Sequence, residues 1–484
     1  MGAADMMERY NVVVLGAGSG GLTVAGGAAL LGARVALLEK HRMGGDCLNY
    51  GCVPSKALLR AAKVAQAIRT AGRYGIRGAG PLPAQDLQLV MDYVRRAQAQ
   101  VAPHDSVERF TGFGVEVHLT AGRLQSPHEV RLVEGGATIW GRQIVLATGS
   151  RTRVPEIPGL QEAGFLTNET VFDCARLPAT LLVIGGGPVG VELAQAFARL
   201  GSRVTIASGS EHLLPREDPD VAAVLAAQLE REGVTVLDRA RAIGVARRDT
   251  MKRVTVRMPA GERAVEVEEI LVAAGRRPNV EDLGLEQAGV VFDQRGVRID
   301  RSCRTNVRSI WAVGDVAGPY QFTHWANYQA RLVIRNALFP GSWSCDFGSV
   351  PWTTFTDPEV ARVGLSEGEA RARGIAYDVF TTPFEDNDRA LCDGEPEGFV
   401  KVLTREGTAT ILGAAIVHAQ AGELLAELVL AKRHGLRLGK LSTPIHVYPT
   451  LAEVNRALGD AYLQGRLRPG VKRVLTRVFA WLRR

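Results

Sequence analysis

Two stretches of this chain follow one plan, and that plan constrains its folding more than any other feature. Asn11–Leu15 is a short aliphatic run. It leads into Gly16-Ala17-Gly18-Ser19-Gly20-Gly21, then into small residues that read as a helix to about Leu31, then into Arg34–Leu38, which ends at Glu39. The second copy starts at Leu181–Ile184 and continues through Gly185-Gly186-Gly187-Pro188-Val189-Gly190. A helix from about Val191 to Leu200 and the run Val204–Ala207 complete it. Each is a βαβ unit with G-x-G-x-x-G at its first turn: Gly16, Gly18 and Gly21 in one, Gly185, Gly187 and Gly190 in the other. The class is therefore α/β, with parallel strands covered by helices.

Such a turn has a physical use. The glycines let backbone come close to a pyrophosphate, and the helix N-terminus adds positive potential. Glu39 lies 23 residues after Gly16, where a ribose diol would be held. Two units imply two dinucleotides. A flavin and a nicotinamide form a chemically sensible couple, since a flavin can pass a hydride's two electrons to a disulfide. No acid follows the last strand of the second copy. Ser208 stands where a 2′-hydroxyl partner would sit, and Arg216 is the nearest cation for a 2′-phosphate, whereas the final Gly190 favours NADH. The coenzyme is NADPH or NADH, with the balance on NADPH.

Cys47 and Cys52 fall between the copies, in Gly44-Gly45-Asp46-Cys47-Leu48-Asn49-Tyr50-Gly51-Cys52-Val53-Pro54-Ser55-Lys56. Positions i and i+5 do not share a face of an ideal helix. Bridging them needs a distorted backbone, which Gly51 permits and Pro54 helps to enforce. A bridge held off its preferred geometry is easier to reduce, so this is a working redox pair. The other cysteines, Cys174, Cys303, Cys345 and Cys392, read as isolated, small buried hydrophobes.

At 484 residues the chain is too long for one core, and about three domains are expected. Helices are expected at about 54–72 and 86–109, an antiparallel β segment at about 115–147, and further antiparallel strands at 253–272. Ile310–Asp315 reads as a buried strand ending in an acid, and a mixed α+β region starts near 346. The net charge of +7 is concentrated at one end. Residues 466–484 hold Arg466, Arg468, Lys472, Arg473, Arg477, Arg483 and Arg484 and no acid; without them the body carries 51 basic and 51 acidic residues. A neutral body excludes a nucleic-acid groove. Residues 11–33 are uncharged, but seven are glycines of the fingerprint region, so a membrane span is not expected there. With no secretory signal visible, the expected compartment is the cytoplasm.

These motifs resemble the class I pyridine nucleotide–disulfide oxidoreductases over residues ~9–465. That family includes dihydrolipoamide dehydrogenase, glutathione reductase and mercuric reductase. The Gly44–Lys56 stretch is a near-complete copy of its redox motif, and Ala147-Thr148-Gly149 and Ala312-Val313-Gly314-Asp315 match its flavin segments. The resemblance implies two Rossmann-like domains, for FAD and NAD(P), plus a C-terminal α+β dimerisation domain. The boundaries are an FAD domain at 1–150 and 280–345, an NAD(P) domain at 151–279, an interface domain at 346–465 and a basic tail at 466–484. It implies that Cys52 is the thiolate beside the flavin and Cys47 the interchange thiol that attacks substrate. Lys56 would pair with Glu192 beside the flavin, Thr148 and Gly149 would contact the cofactor, and Gly314 and Asp315 would meet its ribityl chain. The enzyme would be a homodimer passing electrons to a small-molecule acceptor, with no resident metal.

The C-terminal motif decides the branch. Disulfide-reducing members place His-Pro there, with Glu four residues after the Pro. This chain has His446-Val447-Tyr448-Pro449-Thr450-Leu451-Ala452-Glu453. Glu453 is kept, and Tyr448 stands where the histidine belongs. A phenol with a pKa near 10 is a poor general base at neutral pH. Mercuric reductases are similar in placing a tyrosine there, which makes that branch the expected one, although no cysteine follows Cys392 to hand over Hg(II). Gly26 stands where glutathione reductases place an arginine. His446 is the candidate base of the alternative, a lipoamide or other disulfide reductase, because residues i and i+2 of a strand face one side. An NAD(P)H oxidase or quinone reductase, and a non-enzymatic membrane-associated flavoprotein, complete the alternatives. The last rests on the tail, where Val471, Val474, Leu475, Val478, Phe479 and Leu482 follow helical spacing opposite Arg473, Arg477 and Arg484. Such a helix suits a peripheral contact with the inner membrane face.

Overall fold

The computed structural model describes residues 7–78, 80–467 and 469–483; Arg468 and Arg484, two of the tail cations, lie outside them. The chain forms two compact units. One holds the described residues up to Ala207 together with Ala240–Cys345; the other holds Ser208–Arg239 and the residues from Asp346 onward. Residues 208–239, from within the stretch 151–279, group with the C-terminal part.

In the first unit, Arg9–Leu15 pairs in parallel with Val35–Leu38 on one side and Thr138–Leu146 on the other. Its Val12, Val13 and Val14 are fully enclosed, as β-branched residues of a sheet covered on both faces should be. Val115–His118 extends the sheet parallel to Val35–Leu38. This corrects the expected antiparallel arrangement: the helix Val107–Gly112 precedes the strand, and a crossover helix delivers a parallel neighbour. Gly122–Leu124 and Glu129–Leu132 are antiparallel, and Ile310–Ala312 returns parallel to Thr138–Leu146.

The second copy forms its own parallel sheet, Arg203–Ala207 beside Thr180–Ile184 beside Glu269–Val272. Here too the expectation is corrected. Arg241–Arg248, Met251–Met258 and Gly261–Val267 form an antiparallel sheet, but Glu269–Val272 is parallel, its Ile270-Leu271-Val272 run buried as an inner strand requires.

The second unit is an antiparallel sheet in the order Pro351–Thr354, Glu359–Gly364, Ile411–His418, Phe399–Arg405, Tyr377–Pro383. Alternate residues Ala361, Val363, Val400, Val402, Ala414 and Ile416 pack on Leu424, Leu428, Val454 and Leu458 of the helices Ala421–Arg433 and Glu453–Gly465. Lys401 is buried on this sheet, its ammonium 3.1, 2.7 and 3.0 Å from Asp218, Asp220 and Glu367. Buried charge persists only when compensated in this way. The last helix, Pro469–Leu482, has no buried residue. Among the described residues, no helix is long and apolar enough to cross a membrane.

Candidate active site

Gly16 ends its strand at φ +105°, and a Cβ there would sit 2.5 Å from the Ala147 carbonyl oxygen. Only glycine satisfies both conditions. A Cβ on Gly21 would come within 1.8 Å of the Gly16 carbonyl oxygen, so the helix Ser19–Leu30 can close on the strand only without one. Its N-cap is Gly18, with no side-chain cap and no acid in the first turn. The first amides of this helix and the positive end of its dipole are therefore left for an anion. The second copy repeats the design: a Cβ on Gly190 would lie 2.1 Å from the Gly185 oxygen, and Gly187 caps the helix Pro188–Leu200 without a side chain. Glu39 turns its carboxylate back on the first loop, accepting from the Ala17 amide at 2.7 Å and the His41 amide at 2.8 Å. Ser208 follows the last residue of the strand Arg203–Ala207 and is buried, whereas Arg216 is exposed.

The redox motif is two helices, not one. Cys47 lies in the short helix Gly45–Asn49; the chain breaks at Tyr50-Gly51, and Cys52 opens the helix Cys52–Thr70. Gly51 breaks the chain at φ −125°, ψ −109°, and a Cβ there would crowd Asp46, at 2.8 Å from its Oδ2 and 3.1 Å from its carbonyl oxygen. Cys52 thus occupies a helix N-terminus, where a thiolate is favoured. Its thiol is pushed down to about 6, chiefly by a hydrogen bond from Cys47. Desolvation opposes that shift, while the Thr323 hydroxyl, 3.3 Å from Cys52 Sγ, and the Lys56 charge assist it. The Cys47 thiol moves the opposite way, upward, because it is hydrogen-bonded to Cys52 and desolvated. Cys52 is the thiol that ionises, and Cys47 carries the shared proton. Lys56 Nζ sits 2.8 Å from the buried Glu192 Oε2.

A half-buried guanidinium that carries no motif in the sequence organises the other side. Arg276 donates to Ser150 Oγ at 2.7 Å and to the Ser150 carbonyl at 3.1 Å, and it lies 3.2 Å from Asp46 and 3.5 Å from Asp315. Ser150 Oγ in turn donates to Asp315 Oδ2 at 2.5 Å. Burial pushes the Asp315 carboxyl up, against the pull of Arg276. Asn168 donates to Asp46 at 3.2 Å and to the Tyr50 carbonyl at 3.3 Å, holding the Cys47 helix from behind. Thr148 and Gly149 are tied to Asn279: Thr148 Oγ1 donates to its carbonyl at 2.7 Å, and its amide donates to Gly149 O at 3.0 Å. Gly314, at φ +73°, donates its amide to Gln329 Oε1 at 2.8 Å.

In the second unit His446 and Tyr448 are not on a strand and have separate partners. Both His446 ring nitrogens are engaged: Nε2 is 3.2 Å from each Glu427 carboxylate oxygen, and Nδ1 is 3.2 Å from the Pro444 carbonyl. The i, i+2 argument therefore does not apply. Tyr448 is 67% exposed and donates to Asp388 Oδ2 at 2.9 Å, a bond that raises its phenol pKa further. Glu453 opens its helix and lies 3.4 Å from Arg456.

Residues 10–330 match the pyridine nucleotide-disulphide oxidoreductase family, and residues 350–458 match its dimerisation domain. The chain belongs to that family. It is 36% identical over 458 residues to a dihydrolipoyl dehydrogenase of Chlamydia trachomatis, covering 93% of this chain and 96% of that one. It is also 36% identical over 458 residues to a mercuric reductase of Streptomyces lividans, covering 94% and 96%. The solved structure of the HOCl-induced flavoprotein disulfide reductase RclA from Escherichia coli superposes with a TM-score of 0.82. That match has 28% identity and covers 94% of this chain and 99% of that one. The protein is thus an NAD(P)H-dependent flavoprotein oxidoreductase that uses FAD, and its dimerisation domain makes it a homodimer. The residues present fit both cofactors: two glycine cradles that a Cβ would fill, two uncapped helix N-termini free of acids, and a largely buried carboxylate at Asp315.

Proposed function

We propose that the enzyme reduces Hg(II) with NADPH through the Cys52–Cys47 pair, in the manner of a mercuric reductase. Gly16, Gly18, Gly21, Glu39, Thr148, Gly149, Gly314 and Asp315 would hold FAD, and Gly185, Gly187 and Gly190 the nicotinamide coenzyme. When bound, the flavin relays two electrons from the nicotinamide to the cysteine pair. Lys56 holds positive charge near Cys52 and favours its thiolate. Cys47 keeps the proton until substrate is engaged, then meets the acceptor as the interchange thiol. Two thiolates suit a soft cation.

The observation behind this reading is the C-terminal motif. Tyr448 is exposed, and the His446 imidazole two residues before it is held at both nitrogens. A disulfide acceptor needs a proton delivered to its leaving thiolate; Hg(II) does not. Anaerobic NADPH oxidation with thiol-buffered Hg(II), run beside lipoamide with mercury vapour collected, tests it. Hg(II)-dependent turnover releasing Hg(0) is expected. Turnover with lipoamide alone would replace this reading with a dihydrolipoyl-dehydrogenase-like one, and His446→Ala would then abolish it.

We also propose that the tail helix makes a peripheral contact with an anionic membrane face from the cytoplasmic side, where the NADPH pool regenerates the dithiol. The helix is exposed along its length, with Val474, Phe479, Trp481 and Leu482 each more than half exposed, and it lies beyond the matched family domains. Salt-sensitive pelleting with phosphatidylglycerol vesicles is expected for the full chain and not for one lacking residues 466–484. Equal pelleting of both would end the idea.

A further inference from the structure

Cys303 and Cys345 are not isolated. Their sulfurs lie 3.3 Å apart, and both residues are buried, at 0% and 1% exposure. Each sulfur is presented by a pinned segment. Cys303 adopts φ +71°, a left-handed conformation that a side-chain-bearing residue rarely takes, and holds it through its neighbours. Asp300 Oδ1 accepts from the Ser302 amide, the Ser302 hydroxyl and the Arg304 amide at 2.8, 2.6 and 3.0 Å. The Cys345 amide donates to the Arg301 carbonyl at 2.7 Å. Asn336 ties both segments together, donating to the Ser302 and Trp343 carbonyls at 3.2 and 3.0 Å and accepting from the Trp343 amide at 2.9 Å.

From this geometry we propose that Cys303 and Cys345 are a second dithiol, which peroxide converts to a disulfide. A disulfide needs its sulfurs about 2.05 Å apart, so they must close by about 1.2 Å, a change side-chain rotation can supply. A linear two-coordinate soft cation would instead hold them about 4.6 Å apart and force the pinned segments away from each other. In the reaction, one thiolate attacks a peroxide oxygen, the O–O bond breaks, and a sulfenic acid and a first water result. The second thiol then displaces hydroxide from the sulfenic sulfur. The S–O bond breaks, the S–S bond forms, and a second water leaves. Two thiols have lost two electrons and two protons, and hydrogen peroxide has become two waters. Burial and the neighbouring sulfur hold the Cys303 thiol well above its ordinary value, so the bond forms slowly. Once formed, it is shielded from reductants. Cys345 is the last residue of the first unit, so the bond staples the chain where it leaves that unit.

The test uses the full-length, flavin-loaded protein, reduced and desalted, then exposed to hydrogen peroxide in native buffer and in sub-denaturing urea. Samples are denatured in N-ethylmaleimide, digested without reductant and mapped by mass. A Cys303–Cys345 cross-linked peptide is expected in at least one condition, appearing after the Cys47–Cys52 bond. Its formation should raise the melting temperature by about 5 °C over Cys303→Ser treated alike. NADPH-driven turnover of Cys303→Ser should stay within about twofold of the parent. Cys303 and Cys345 both carrying maleimide in both conditions, once the Cys47–Cys52 bond has formed fully, would overturn the proposal. Over-oxidation of either sulfur to a sulfonic acid without a cross-link would overturn it equally.

Discussion

The first unit carries two cysteine pairs that differ in almost everything except the atoms involved. Cys47 and Cys52 straddle a helix break; Cys52 opens the next helix, faces solvent, touches the Thr323 hydroxyl and feels the Lys56 ammonium. Cys303 and Cys345 sit inside the packing, where the hydrogen bond with Cys345, burial, the Cys345 sulfur's charge and Asp300 all disfavour a Cys303 thiolate. One thiol is drawn down to about 6 and the other is driven up from its ordinary value. The same functional group is drawn toward or away from its thiolate according to the hydrogen bonds it shares, its burial and whether a cation or an anion stands near.

The contrast can be tested at decreasing scale. Cys52→Ser should lower turnover through the dithiol by on the order of 10³-fold or more while leaving flavin reduction by NADPH intact. An equal loss in Cys303→Ser would erase the distinction between the pairs. Next, alkylation of the reduced native enzyme should follow the thiolate of Cys52. Its folded-state value is depressed, so the thiolate is present above about pH 6 and disappears as the pH falls through it. Cys303 should stay unmodified across the same titration until the protein unfolds. Smaller again, Thr323→Val and Lys56→Met should each raise the Cys52 midpoint by about one unit or less, with no change in Cys303 labelling. The smallest effect belongs to Asp388→Asn. It should return the Tyr448 phenol toward its ordinary value, read by ultraviolet titration, and alter Hg(II) turnover by less than about threefold.

What could be read from the sequence was whatever is contiguous. The glycine turns announce both βαβ units because the spacing of Gly16, Gly18 and Gly21 is itself the packing constraint. Cys47, Cys52 and Lys56 share one uninterrupted motif. Strand direction was less legible: Val115–His118 and Glu269–Val272 have the composition of strands, but their parallel pairing depends on the path by which the chain reaches them. Long-range partners were not legible at all. Thr323 meets a cysteine 271 positions away, Arg276 reaches back to Ser150, and Cys303 and Cys345 are brought together by a turn and by Asn336, none of which leaves a periodic trace. An extended chain would leave His446 free as a base, whereas Glu427 on another helix takes its ring.

Arg276 answers to two carboxylates, Asp46 next to Cys47 and Asp315 beside Ser150. A single guanidinium shared in this way makes two equilibria into one. Any partner that draws Asp315 away from Arg276 changes how much of the guanidinium's charge remains for Asp46, whose own negative charge raises the Cys52 thiol pKa. Thermodynamic reciprocity then runs in both directions: with Asp315 holding the flavin as proposed, loading the cofactor would tune the acidity of the thiol, and ionising the thiol would tune the grip on the cofactor by the same factor.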